Sequence, residues 1–353
     1  MNKYWVSQAI AKIEADIKRS SDTHLLKVEI PSLEYVSLYL KDESTHPTGS
    51  LKHRLARSLF LYGLCNGRIH ENTTIIEASS GSTAISEAYF AQLLGLRFIA
   101  VIPRSTSQGK IDKITFYNGE CHLVSAKDIY SESARLAREL NGHYMDQFTF
   151  AERATDWRGN NNIAESIFSQ MELEPFPVPD WIVMSAGTGG TSATIGRYIR
   201  YKCFPTQLCV ADPENSVFFD YFESGDDSLV SDFNSRIEGI GRPRVEPSFI
   251  ASIVDKMIKV PDAASIATIH FMQKLLNRRC GGSTGTNLYA AFQLMSELNA
   301  QKKGASVVSM ICDAGERYLD TYYNDDWLRE NAIDTAPYER QLEDFYRTGR
   351  LQP

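Results

Sequence analysis

Val6, Ile10, Ile13 and Ile17 recur at spacings of three and four among charged neighbours, which predicts an amphipathic helix over residues 4–19. Beyond it the rhythm changes, and short apolar, β-branched runs alternate with helical patterns. The runs at 35–40, 73–78, 97–102, 121–124, 181–186, 208–212, 256–260 and 306–312 predict strands. Helical spacing fills 51–64, 83–94, 107–118, 130–140, 191–202, 262–278 and 285–300. Strand and helix in alternation predict an α/β fold of mostly parallel sheets covered by helices. Residues 213–246 lack periodicity and are rich in Asp, Ser and Gly, so they read as a long, mobile segment. Residues 324–353 are polar and are expected on the surface or against a partner.

Composition narrows the function. A chain of 353 residues is long enough for two domains. Its net charge of −7 argues against nucleic-acid binding, because phosphate neutralisation needs a basic face. The strongest apolar run, LRFIAVI at 96–102, is strand-sized and carries an arginine, so no membrane span is expected. The six cysteines include no C-x-x-C pair, and the N-terminal helix is no secretion signal. Reduced thiols and a cytoplasmic location follow. The histidines are scattered without ligand spacing, and none is assigned to a metal.

In open α/β sheets, ligands bind beyond the carboxyl ends of the strands. Three loops of small residues fall there: SSGSTA (79–84), GTGGTS (187–192) and GGSTGTN (281–287). In the second, Gly187, Gly189 and Gly190 allow close backbone approach, a helix N-terminus follows, and Thr188 and Thr191 add hydroxyls. Such a loop suits a phosphate dianion better than a bare strand–helix turn. It is no P-loop, since the required lysine is missing. The dinucleotide fingerprint half fits: Gly187 and Gly189 are present and Asp212 follows the next strand, but Ser192 stands in the third glycine's place and Pro213 follows the acid. Lys52 opens a predicted helix after a Pro-Thr-Gly-Ser turn. Most lysines there are solvated, and the charge has the wrong sign for the helix dipole. Partial desolvation would favour the neutral, nucleophilic amine. A nucleophilic amine in a chain that also holds a phosphate cradle suggests pyridoxal phosphate, which needs both, with a partner for its ring nitrogen.

Six blocks in order carry a resemblance: PTGSLKHR (47–54), SSGST (79–83), GTGGT (187–191), EGIG (238–241), GGSTG (281–285) and DAGERYLDTYY (313–323). Over roughly residues 30–325 the chain resembles the cysteine synthase/cystathionine β-synthase family, fold-type II (tryptophan synthase β-like) pyridoxal-phosphate enzymes. EASSGSTA, DQFTFAERATDWRGNNNIAES (146–166) and EGIGRPRVEPSF (238–249) resemble its L-cysteine desulfhydrase group. The resemblance implies that Lys52 holds the cofactor as a Schiff base and moves the substrate's α-proton. It implies a phosphate cup from Gly187 to Thr191 and a ring-nitrogen contact at Ser283. Ser79, Ser80, Gly81, Thr83 and Gln147 match the grip on the substrate α-carboxylate, and Gly239 to Gly241 match the mouth of the site. A hydroxyl at Ser283 cannot keep the ring nitrogen protonated, which favours β-elimination through an aminoacrylate. The implied reaction takes L-cysteine to hydrogen sulfide, pyruvate and ammonia. The alternative is β-replacement on O-acetylserine or a related activated serine. From other classes, a cofactor-binding sensor without turnover and a dinucleotide-dependent oxidoreductase stand further off.

The resemblance also implies a homodimer and two domains. Residues 41–160 would form a smaller, mobile domain with Lys52 and the carboxylate loop. Residues 1–40 and 161–330 would form a larger one with the phosphate cup, leaving 331–353 as a C-terminal tail. No haem segment is expected before residue 40 and no regulatory module after 325. Ser82 stands where the family has Asn, a shorter reach toward the cofactor's 3′-oxygen. Arg242 and Arg244 suit either an acidic substrate or pairing with Glu246. Cys280 reads as a small core residue rather than a redox thiol. His53 is set aside, because adjacent side chains on a helix point apart.

Overall fold

The computed structural model describes residues 2–19, 22–159 and 162–352. Its strands are β1 (His24–Val28), β2 (Val36–Asp42), β3 (Ile75–Glu77), β4 (Phe98–Pro103), β5 (Glu120–Val124), β6 (His143–Tyr144), β7 (Trp181–Ser185), β8 (Gln207–Pro213), β9 (Lys256–Val260) and β10 (Ala305–Ile311). Its helices are α1 (Lys3–Lys18), α2 (Lys52–Cys65), α3 (Ser82–Leu94), α4 (Gln108–Phe116), α5 (Ile129–Glu139), α6 (Gln147–Ala154), α7 (Ile163–Met171), α8 (Gly190–Lys202), α9 (Phe218–Ser224), α10 (Asp262–Leu276), α11 (Gly282–Ala300), α12 (Asp325–Glu330) and α13 (Ala336–Thr348). Among the described residues no helix is long and apolar enough to cross a membrane.

The chain divides into two compact units, and Met1–Asp22 with His46–Asp156 forms the first. Its sheet runs β5-β4-β3-β6, with every pairing parallel. Helix α1 starts where the Asn2 side chain accepts the Trp5 N–H at 3.2 Å, capping an otherwise orphan donor. Its apolar stripe buries Ala9 and Ile13 in one cluster with Phe60 of α2 and Phe90 of α3. That shared core groups the first helix with this unit, whereas the expected division put residues 1–40 in the larger one.

Thr23–Thr45 and Trp157–Pro353 form the second unit. Its sheet runs β1-β2-β10-β7-β8-β9. Only β1, paired with β2, is antiparallel among these pairings. Strand β10 lies between β2 and β7 and is buried along its whole length, as its near-continuous run of apolar residues requires. The segment at 213–246 is more ordered in form than its composition suggests. It contains α9, whose Phe218 stacks on Phe249 at 4.2 Å, and it buries Ile237 and Ile240. The end of the chain is likewise no loose tail. Leu342 and Phe345 on α13 are fully buried, and Phe345 lies 4.9 Å from the Phe292 ring of α11.

Candidate active site

In the first unit the Pro47–Ser50 turn delivers Lys52 as the first residue of α2. The turn closes with the Gly49 N–H donating to the His46 carbonyl at 2.7 Å, and Ser50 Oγ accepts the Lys52 N–H at 3.1 Å. Lys52 is half-buried. The next residue, His53, turns inward: its Nδ1 lies 3.2 Å from Thr48 Oγ1, and its ring stacks 5.0 Å from His46. It serves the interior, as the divergence of adjacent helical side chains predicts.

Ser79, Ser80 and Gly81 leave the carboxyl end of β3, and Ser82 opens α3. No side chain caps this helix, so its first N–H groups face the loop. Ser79 to Ser82 are half-buried, and Ser79 Oγ accepts the Gly81 N–H at 3.3 Å. Thr83 and Gln147, 64 residues apart in the chain, meet in the interior. The Thr83 hydroxyl donates to Gln147 Oε1 at 2.8 Å. Helix α6, which delivers Gln147, was not foreseen from the sequence. Asn160 and Asn161 of the 146–166 block lie outside the described residues.

In the second unit, Gly187 to Thr191 link β7 to α8. A Cβ on Gly187 would lie 2.2 Å from the Gly239 carbonyl oxygen. Gly189 has φ +83, and a Cβ there would lie 2.5 Å from the Ser248 carbonyl oxygen. Only glycine fits either place. Thr188 Oγ1 accepts the Gly190 N–H at 3.3 Å, and no side chain caps α8. Gly239 is held there because the Gly241 N–H donates to the Ala186 carbonyl at 2.8 Å. Ser283 is buried in the first turn of α11. Beside it, a Cβ on Gly282 would meet Ile237 at 3.2 Å, so the 237–239 segment and the start of α11 are neighbours. The backbone cradle, the open helix start and the threonine hydroxyls together fit a phosphate dianion.

Other candidates resolve into packing. Arg242 Nε and Arg244 Nε both donate to Glu246 Oε1, at 2.8 and 3.2 Å, and the Glu246 carboxylate is buried. Pairing with Glu246, one of the two sequence readings, accounts for both arginines. Asp212 is fully buried and accepts the Phe219 N–H of α9 at 2.9 Å. An acid so enclosed is no ribose ligand, which removes the dinucleotide reading's second half. Burial pushes the Cys280 thiol up to about 12, consistent with an inert core residue. Trp157 packs edge-on to Tyr201, and Arg158 lies over the Trp157 ring.

The profile of the pyridoxal-phosphate dependent enzyme family matches residues 20–313. L-cysteine desulfhydrase Cds1 of Mycobacterium tuberculosis is 58% identical over 355 residues, covering 99% of this chain and 96% of that protein. Cystathionine beta-synthase of Dictyostelium discoideum is 29% identical over 333 residues, covering 89% of this chain and 63% of that protein. The crystal structure of O-ureido-L-serine synthase superposes with a TM-score of 0.75 at 23% identity, covering 91% of this chain and 98% of that one, a likeness of fold. On the extent of the family match and the near-complete alignment with Cds1, this chain belongs to the pyridoxal-phosphate dependent enzyme family.

Proposed function

We propose that this protein is a pyridoxal-phosphate-dependent L-cysteine desulfhydrase, converting L-cysteine and water to hydrogen sulfide, pyruvate and ammonia. The observation that carries the reading is the 58% identity with a protein of that name across 99% of the chain. The glycine cradle between β7 and α8 and the lysine opening α2 supply a chemical reason for it. When bound, pyridoxal phosphate supplies an electron sink that acidifies the α-hydrogen of an amino acid attached through its amine.

The remaining work falls to side chains of this protein. Lys52 would contribute the amine that attaches the cofactor and, when freed, the base that takes the Cα proton. Gly187, Thr188, Gly189, Gly190 and Thr191 would hold the phosphate, with Ser82 near the 3′-oxygen. Ser283 would meet the ring nitrogen, and a hydroxyl there would not hold that nitrogen protonated, which would favour loss of the β-thiol. Ser79, Ser80, Gly81, Thr83 and Gln147 bind the α-carboxylate, with Gly239 lining the mouth through its backbone.

The test is product analysis. Purified protein given L-cysteine alone should release sulfide and pyruvate in equal amounts. Lys52→Ala should carry no covalently attached cofactor and show no turnover. Turnover only when an activated serine and sulfide are supplied together would replace this reading with β-replacement. We take the working form to be a cytoplasmic homodimer. Light scattering should then give twice the 39.7 kDa chain mass.

A further inference from the structure

Two glutamates lie in the interior of the first unit beside the Ser79–Thr83 loop. Glu77 ends β3 and Glu87 lies on α3, and both are 0% exposed. Glu77 Oε1 accepts the Ala78 N–H at 2.7 Å, and its Oε2 accepts the Gln147 N–H at 3.2 Å. The first donor leads directly into Ser79. The second opens α6, just after Asp146 at φ 48. The Thr83 hydroxyl on Gln147 Oε1 closes the figure at 2.8 Å. Glu87 follows Thr83 by one helical turn on the same face of α3. No N–H donor reaches either of its carboxyl oxygens, and the polar group it faces is the Glu77 carboxyl.

The two acids therefore have different tasks. Glu77 spans two backbone donors that belong to different segments, which no apolar residue could satisfy. Glu87 faces the Glu77 carboxyl and no N–H donor, so ionising both acids would leave an uncompensated buried charge. Burial and the neighbouring Glu77 carboxylate push Glu87 well above the usual range. Burial pushes Glu77 up too, against the pull of its two N–H donors. Both directions keep negative charge away from a loop that receives an anion.

We propose that Glu77 is a positioning residue for substrate recognition, fixing the Ser79–Thr83 loop and the Thr83–Gln147 pair against each other through the Ala78 and Gln147 N–H groups. This rests on the reading of those residues as the grip on the substrate α-carboxylate. It adds a residue that acts through the grip without touching substrate.

Glu77→Gln keeps the volume but turns an NH2 toward one of the two donors. In the holoenzyme, KM for L-cysteine should rise about tenfold or more, the cost of leaving one buried backbone N–H unpaired. The calorimetric Kd for L-alanine, which has the carboxylate but no leaving group, should rise alongside. The cofactor content should stay at the wild-type level, and kcat should change far less than KM. An unchanged Kd for L-alanine, or a fall in kcat and cofactor content with KM intact, would overturn the proposal. Thr83→Val and Gln147→Leu separate the layers. If they leave that Kd unchanged, the carboxylate grip itself is misassigned and the proposal is overturned with it. If they raise it and Glu77→Gln does not, only the positioning role is lost. Should Glu77→Gln yield no soluble protein, Glu77→Asp replaces it. It keeps the carboxyl group but is one methylene too short to span both donors, so the same rise is expected and wild-type KM and Kd would refute the proposal.

Discussion

At the scale of single residues, the sharpest demand falls on Gly189. Its φ of +83 lies in the left-handed region, and the atoms a Cβ would strike are backbone: Ser248 O at 2.5 Å and Phe249 Cα at 2.7 Å. Backbone cannot give way as a side-chain tip can. Gly189→Ala therefore carries about 1–2 kcal/mol of conformational cost before any clash is counted. The cradle should open, and pyridoxal phosphate titrated into the apoprotein should bind at least about tenfold more weakly, since each 1.4 kcal/mol is tenfold in affinity. Wild-type affinity in that variant would show that the cradle does not hold the phosphate. The need for glycine at 189 was legible in the sequence, because a loop of small residues before a helix start signals close backbone approach. The pairing of Arg242 and Arg244 was only half legible. Glu246 was in view, but the burial that commits it to both guanidinium groups depends on segments elsewhere. Glu77 was not legible, because an acid ending an apolar strand looks like any strand end until its two backbone donors are placed.

At the scale of elements, α13 carries the clearest prediction. Tyr338, Leu342, Phe345 and Tyr346 make an apolar stripe at helical spacing, with charged residues on the other side. Phe345 packs against Phe292, in one cluster with Phe271 and Tyr346. Phe345→Ala should cost about 3–5 kcal/mol in urea unfolding, the usual range for emptying a buried aromatic site. Arg347→Ala, on the exposed face of the same helix, should change little. Equal effects would mean that α13 is not part of the core of its unit. The stripe was present in the sequence, but five charged residues stand among its apolar ones, so average polarity hid the period. Strand β1 escaped for a related reason. It is an edge strand in which His24 and Lys27 face solvent and only Val28 is fully buried, which leaves little apolar signal to read. The parallel strands β4, β7, β8 and β10 were plain because burial on both faces demands unbroken apolar runs.

At the scale of the whole molecule, buried acids set how stability follows pH. Burial pushes Asp212 up to about 7, partly offset by the Ser216 hydroxyl and the Phe219 N–H. Burial and the nearby Glu214 push Asp262 up to about 6. Each holds its proton in the folded chain at pH values where the unfolded chain has released it. A raised carboxyl therefore adds stability that is whole below the ordinary aspartate range and is lost as pH climbs to the folded value. His143 has the opposite sense: burial lowers it to about 4, so its contribution is lost as pH falls from the ordinary histidine value toward 4. Between pH 5 and 7 the carboxyls dominate, and stability should decline as pH rises. Asp212→Asn isolates one contribution, since the amide keeps the shape and an acceptor for the Phe219 N–H without titrating. Unfolding free energies at pH 5, 6 and 7 should fall less steeply in the variant, by up to about 1.4 kcal/mol per pH unit for one proton. Parallel slopes for the two proteins would mean that Asp212 is already ionised in the folded state, despite being fully enclosed at the end of β8.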